Sequence, residues 1–275
     1  MPTRSVDVVI ASFNQPGQLL RCVDDLTTHT KYPHRIFVAD DNSDHPQMQG
    51  TLEILEREHG NLRVIRSTHR RGFAANNNNA VQFTSAKNIL FLNQDCYLQQ
   101  GAVEEMVRWL SPRKGIGVVG AKLIFPAEKE GLSGKIQHIG VARYADAAPY
   151  HRYREEDARI PEAQMYRWVN AVTGACMMVT RELWDLLSGL DQTYSMGQFE
   201  DVDFCFRARY YLGYRVLVTP KAVGFHYEHG AGEQYVREGH DKNRTILLSR
   251  WGHLGSDEFE FDAGARTEAE VLDGC

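Results

Sequence analysis

The hydrophobic positions of this chain keep changing period. Val6 to Ser12 (VDVVIAS) is a nearly continuous apolar run, as expected of a strand covered on both faces. Pro16 then opens a stretch in which Leu19, Cys22, Val23 and Leu26 recur at i, i+3, i+4 and i+7, which predicts an amphipathic helix. The alternation continues through a strand at Arg35 to Ala39, a helix carrying Met48, Leu52 and Leu55, and a strand at Leu62 to Ile65. A helix over Gly72 to Phe83, a buried strand at Asn88 to Leu92 and a helix over 102–110 complete the first 125 residues. Short strands alternating with helices predict βαβ units and an α/β fold built on a mostly parallel, Rossmann-like sheet.

Toward the second half the pattern loosens. Strands are expected at Ile116 to Phe125, Lys135 to Val141, Val169 to Val179, Tyr214 to Val218 and Val223 to Tyr227. Helices are expected at Arg181 to Leu187, Glu200 to Tyr211 and Glu233 to Arg250. Between them, Ala142 to Arg167 is polar, aromatic and unpatterned, which in a compact domain marks either a functional loop or disorder. The last twenty residues hold few large apolar side chains and are expected to be disordered.

Composition narrows the class. The five cysteines of this 275-residue chain are scattered without a C-x-x-C pair, which disfavours a zinc ribbon or a disulfide framework and fits reduced thiols. The N-terminus has no apolar signal core and no window reaches 18 apolar residues, so a cytoplasmic protein without a transmembrane segment is expected. From Ser256 onward seven acids stand against one base, leaving that tail at minus six and the rest of the chain close to neutral within a total of minus five. Without a basic stripe, nucleic acid is not expected as a partner.

In such sheets a ligand sits at the carboxyl ends of the strands. Three predicted strand ends are polar: Ser12-Phe13-Asn14, Asp40-Asp41-Asn42-Ser43 and Asn93-Gln94-Asp95. Neither G-x-x-x-x-G-K-[ST] nor a G-x-G-x-x-G after the first strand is present, which disfavours a P-loop nucleotidase and a dinucleotide dehydrogenase. A diphosphate bound here would need another source of positive charge. Asp95 could supply it by holding a hard divalent cation, or could simply cap the following turn.

The blocks VVIASFN (8–14), VADDNS (38–43), RRGFAANNN (70–78), LFLNQDCYL (90–98), VTGACMM (172–178), FEDVDFCFR (199–207) and GYRVLVTPKAVGFHYEHG (213–230) stand in an order and spacing that resembles glycosyltransferase family 2, in its bacterial rhamnosyltransferase-like branch. The resemblance covers roughly residues 6–252. It implies a GT-A fold with a smaller mixed acceptor-side sheet. One domain is implied over 1–254, with a nucleotide-sugar half (1–125), a catalytic half (126–254) and a tail (255–275).

The same resemblance implies a hexosyl- or deoxyhexosyltransferase that uses UDP-, dTDP- or GDP-linked sugars. The implied acceptor is a glycan or lipid-linked glycan, as in polysaccharide biosynthesis at the inner face of a membrane. It points to Ser12, Phe13, Asn14, Asp40 and Asp41 for the nucleoside, and to Arg71 and Asn78 for nucleotide or diphosphate. Gly174 and Ala175 in Thr173-Gly174-Ala175 are placed beside the donor sugar. The D-x-D metal motif falls on Asn93-Gln94-Asp95, its first acid replaced by Asn93. That leaves Asp95 and His226, or alternatively His229, to hold Mn²⁺ or Mg²⁺.

The E-D motif falls on Glu200-Asp201 at the start of a helix, with Asp201 implied as general base and Glu200 shaping the acceptor site. Asp203 and Arg207, four apart, read as an ordinary ion pair. Trp168 reads as a sugar-stacking or core residue, and the loop holding Tyr144, Tyr150, His151, Arg152, Tyr153 and Arg154 as an acceptor loop or lid. Lys242, Arg244 and Arg250 with Ile246 and Leu247 give the last helix a face for peripheral membrane contact or for core packing. The alternative to an enzyme is a module on the same fold that binds a sugar nucleotide without chemistry.

Overall fold

The computed structural model describes residues 5–111, 114–144, 146, 148–228, 233–256 and 264–274. Its N-terminal half follows the hydrophobic pattern closely. Strands β1 (Val6–Ser12), β2 (His34–Asp40), β3 (Leu62–Arg66) and β4 (Asn88–Asn93) are parallel in the order β3-β2-β1-β4. They are joined through α1 (Pro16–His29), α2 (Met48–Glu58) and α3 (Phe73–Val81). The parallel register sets Ser12 opposite Asp40 and Ala11 opposite Asn93, so three polar strand ends finish side by side.

Beyond them come β5 (Cys96–Leu98), α4 (Ala102–Trp109), β6 (Ile116–Ile124) and β7 (Ile136–His138). A ribbon of β8 (Val141–Arg143) and β9 (Pro149–His151) stands apart, and β10 (Tyr166–Val169) returns to the sheet. Strand β11 (Cys176–Thr180) lies antiparallel between β4 and β6. After it come α5 (Arg181–Leu187), α6 (Glu200–Tyr210), β12 (Arg215–His226) and α7 (Glu233–Trp251). One 11-stranded sheet results, with a buried apolar cluster on each face.

Several elements differ from the sequence expectation; the run expected over Val169 to Val179, for one, is split between β10 and β11. The two strands expected around Pro220 are one strand, β12, because a register shift between Thr219 and Val223 absorbs the residue that cannot donate. The ribbon gives part of the unpatterned 142–167 segment regular structure.

The acidic tail, expected to be disordered, is folded over its described residues: β13 (Ala265–Arg266) pairs with β10, and α8 (Glu268–Asp273) follows. A capping box of Thr267 and Glu270 starts that helix, and Val271 is fully buried. The apolar face of α7 packs inward, with Leu247 buried and Ile246 against the core. Arg250 is tied to Asp191 at 2.5 Å, so of the two readings of this face core packing is the one seen.

Candidate functional site

A cavity of about 570 Å³ opens at the carboxyl ends of β1, β2 and β4. Of the residues expected there, Ser12, Phe13, Asp41, Asn93, Gln94, Asp95, Asp201 and His226 line it, together with Thr173, Tyr150 and His151. The cavity joins strand ends from the parallel half to the start of α6 and the end of β12.

The β1 end is held by a side chain from β4's end. Gln94 Oε1 accepts from the Ser12 hydroxyl (2.8 Å) and the Phe13 N–H (3.1 Å), while its amide nitrogen donates to Phe13 O at 2.8 Å. Gln94 thus fixes the Phe13 backbone. The Arg70 guanidinium lies over the Phe13 ring at 3.4 Å, and its Nε is 3.8 Å from Asp41. Asp41 accepts the Arg71 N–H (2.7 Å) on one oxygen and the Gly72 N–H (3.0 Å) on the other. Burial outweighs these bonds and pushes its carboxyl above the ordinary range. A flat aromatic ring, a stacked cation and a carboxylate suit a nucleoside.

Several expected contacts are structural instead. Asp40 is fully buried, accepting from the Ser43 hydroxyl (2.5 Å) and pairing with Arg66 (3.2 Å), so it clamps the β2 turn. Asn14 closes the facing loop by accepting the Asp44 and His45 N–H groups, both at 2.9 Å. Arg71 is exposed and gives only its backbone to the site, whereas its neighbour Arg70 lines the cavity. Asn78 points away and clasps the Leu190 backbone through both amide atoms. Trp168 lies outside the cavity under Arg215, whose guanidinium is 4.5 Å from its ring.

His226 ends β12 opposite Cys96, so the β12–β5 pairing delivers it to Asp95. Its Nε2 lies 3.3 Å from Asp95 Oδ1 and 3.4 Å from the Asn93 amide nitrogen, and both Asp95 and His226 are buried. Adjacent ligands of an octahedral cation at about 2.1 Å stand about 3 Å apart, so this carboxylate and imidazole fit one edge of such a site. Among the described residues no group of three His, Cys, Asp or Glu gathers, so those that would hold the cation are Asp95 and His226. His229 lies outside the described residues.

Asp201 sits in the first turn of α6. One oxygen accepts the Gly174 N–H at 2.7 Å and the other the Val202 N–H at 2.8 Å. Despite these bonds, burial raises its pKa. Gly174 and Ala175 do not line the cavity. A Cβ on Gly174 would lie 3.1 Å from the Phe73 ring, so its smallness serves packing while its N–H orients Asp201.

Glu200 also lies outside the cavity. Burial and the adjacent Asp201 raise its carboxyl well above the ordinary value, and its Oε2 is buried without a hydrogen-bond partner. It therefore does not shape an acceptor site by contact. Asp203 and Arg207 form the expected ion pair at 2.7 Å.

A segment without sequence signal completes the wall. Met196, Gly197, Gln198 and Phe199 all have positive φ, from 61° to 143°. Fully buried Asn243 on α7 holds this turn by donating to Ser195 O (2.9 Å) and Gly197 O (2.7 Å) and accepting from Ser195 N–H (3.1 Å). Gly72 is required opposite it, because a Cβ there would meet the Met196 Cα at 2.8 Å.

The fold is that of the GT-A glycosyltransferases. The chain superposes on a GalNAc-T7 crystal structure with UDP, GalNAc and Mn²⁺ at a TM-score of 0.68 and 18% identity, covering 81% of this chain and 43% of that one. On mannosyltransferase PcManGT from Pyrobaculum calidifontis, in complex with GDP-Man and Mn²⁺, the TM-score is 0.63 at 17% identity, over 89% and 64% of the chains.

Residues 7–185 match the family model of Glycosyl transferase family 2, and the chain belongs to that family. It is 30% identical over 238 residues to uncharacterized protein y4gI of Sinorhizobium fredii, and 29% identical over 237 residues to O-antigen biosynthesis protein RfbC of Myxococcus xanthus. Both matches take in 82% of this chain but only 25% and 17% of those longer proteins.

Proposed function

We propose that this chain transfers a hexosyl or deoxyhexosyl group, with inversion, from a nucleotide-diphosphate sugar to a hydroxyl of a glycan or lipid-linked glycan. The observation that carries the reading is that Asp201 opens into the same cavity as the Asp95–His226 pair and the Phe13–Asp41–Arg70 cluster. Family membership, the name of the O-antigen relative and the nucleotides and Mn²⁺ held by the structural neighbours support it.

Phe13, with Arg70 stacked on one face of its ring, presents the rest of the ring to the base, and Asp41 accepts from base or ribose. Asp95 and His226 would hold a divalent cation, which when bound supplies positive charge to a departing diphosphate. Asp201 accepts the proton of the acceptor hydroxyl as that oxygen bonds to the anomeric carbon. The bond from that carbon to the diphosphate oxygen breaks, and its electron pair leaves with the nucleoside diphosphate. A raised pKa makes Asp201 a stronger base than an exposed carboxylate, and the Gly174 and Val202 N–H groups hold its orientation.

The expected outcome for Asp201→Asn is loss of transfer by roughly a hundredfold or more, the scale of a general base, with nucleotide affinity within about threefold of the parent. Initial rates with the best donor of a UDP-, dTDP- and GDP-sugar panel and calorimetric titration with the matching nucleotide measure both. Turnover near the parent rate would remove Asp201 from this role, and transfer by the parent chain excludes a binding module without chemistry.

A further inference from the structure

Two histidines at the catalytic end of the cavity remain unused by this reading. His138 on β7 is fully buried and His151 on β9 lines the cavity; their Nδ1 atoms lie 2.7 Å apart, with the rings at 81°. The backbone N–H of Thr173 points at His138 Nε2 from 3.3 Å.

A backbone amide can only donate, so His138 Nε2 must present a lone pair. The single proton of the neutral ring is then on Nδ1, where it donates to His151 Nδ1. That nitrogen must be bare, which leaves the proton of His151 on Nε2. Charged forms fail on the same contacts. Protonating His138 turns an N–H against the Thr173 N–H, and protonating His151 sets two N–H groups face to face at 2.7 Å. Burial acts in the same sense, holding His138 well below the ordinary imidazole value and His151 down at about 4, with the Arg154 charge adding to the second.

The chain of bonds starts beside the general base. Thr173 lines the cavity, its hydroxyl hydrogen-bonds Asp201, and the next N–H, that of Gly174, donates to Asp201 at 2.7 Å. We propose that the Nε2–H of His151 is a preset, uncharged donor that reads a hydroxyl oxygen of a sugar at the Asp201 end of the cavity, with His138 as the positioning residue that sets its tautomer. The inference rests on the glycosyltransferase reading above, and deepens it by naming a specificity contact on the β8–β9 ribbon.

The first measurement is a long-range ¹H–¹⁵N spectrum of the full chain labelled with ¹⁵N-histidine. The expected result is a proton on Nε2 of His151 and on Nδ1 of His138; a proton on Nδ1 of His151 overturns the inference. The second compares His151→Phe, which keeps a ring and removes the donor, with His151→Gln, whose amide restores a donor near Nε2.

With the best nucleotide sugar of the panel, His151→Phe is expected to lower kcat/KM roughly tenfold to hundredfold, and His151→Gln to recover most of that loss. Monodeoxy analogues of that donor and of the best acceptor then separate the two sources of the hydroxyl. The analogue lacking the hydroxyl that His151 reads costs the parent chain the same factor and costs His151→Phe nothing further. Equal kinetics for the two variants, in a parent chain that does transfer sugar, overturn this inference alone. A parent chain that binds no nucleotide sugar overturns the glycosyltransferase reading as well.

Discussion

At the scale of single residues, the site is decided by which of two neighbours faces the cavity. Asp41 faces it and Asp40 clamps a turn; Arg70 lies on Phe13 and Arg71 is exposed; Asp201 opens into the cavity and Glu200 is buried behind it. Hydrophobic periodicity assigns faces within strands and longer helices, but it does not reach the turns after β2 and β3 where Asp41, Arg70 and Arg71 lie, nor does it choose between two successive acids in the first turn of α6. The motifs located the pairs and chose within two of them, Asp201 as the base and Arg71 as the nucleotide contact, whereas it is Arg70 that lines the cavity. Asn93-Gln94-Asp95 was more legible because it directly follows the buried strand β4, and all three residues line the cavity.

The choice within each pair is testable. Arg70→Ala is expected to weaken UDP or GDP binding by about tenfold, losing a cation stacked beside Asp41, while Arg71→Ala stays within about twofold. Calorimetric titration with either nucleotide checks this, and equal losses would return the role to the backbone turn as a whole.

Glu200 gives a pH test. Its folded pKa is raised, so above the ordinary Glu value of about 4.3 the unfolded chain is ionised while the folded chain keeps its proton, and stability falls as pH rises toward the folded value. Glu200→Gln mimics the protonated form and removes that loss. Its Tm relative to the parent is expected to be nearly unchanged at pH 4 and to rise as pH increases from there; a difference that shrinks with pH would mean that Glu200 is ionised in the folded chain.

At the scale of elements, the parallel half was readable because each strand is an apolar run and each helix carries an apolar stripe. The elements that were missed have weak signals of other kinds. Strand β5 has three residues, β12 hides a bulge at Pro220, and the tail helix shows only a Thr-x-x-Glu capping box and one anchoring valine.

The turn at 196–199 had no signal at all, since three of its four positive-φ residues are not glycine. Each such residue costs roughly 1–2 kcal/mol, so the turn depends on an outside hold, which Asn243 supplies. Asn243→Ala leaves backbone carbonyls unpaired, at about 2–4 kcal/mol in all. The expected outcome is a lower Tm together with kcat reduced at least tenfold, because the turn leads directly into Glu200-Asp201. Nucleotide affinity is expected to fall less than kcat, because the turn touches the Gly72–Phe73 backbone beside Asp41 while Phe13 and Arg70 lie on other elements. Scanning calorimetry with initial rates and nucleotide titration separates these effects; an unchanged kcat would show that the turn does not position Asp201.

At the scale of the whole molecule, the uneven charge distribution has a structural use. One acid of the described tail is placed against bases of the body: Glu268 on α8 pairs with Arg108 of α4 and Lys221 of β12, and also meets the Tyr166 hydroxyl at 3.3 Å. Exposed pairs of this kind contribute little to stability and serve mainly to set register.

The larger contribution comes from Val271, fully buried, which is worth about 1.5–3 kcal/mol, together with the edge that β13 covers on β10. Without β13, the outer side of β10 would present unpaired backbone groups at the sheet edge. Truncation after residue 256 is therefore expected to lower Tm by roughly 3–10 °C, the range that 1.5–3 kcal/mol gives in a chain this size. Among the described residues the cavity takes none from the tail, so kcat measured well below the new Tm is expected to stay within about twofold. Thermal melts and initial rates on the truncated chain decide this: an unchanged Tm would make the tail a passive appendage, and a lost kcat at intact stability would tie it to the site.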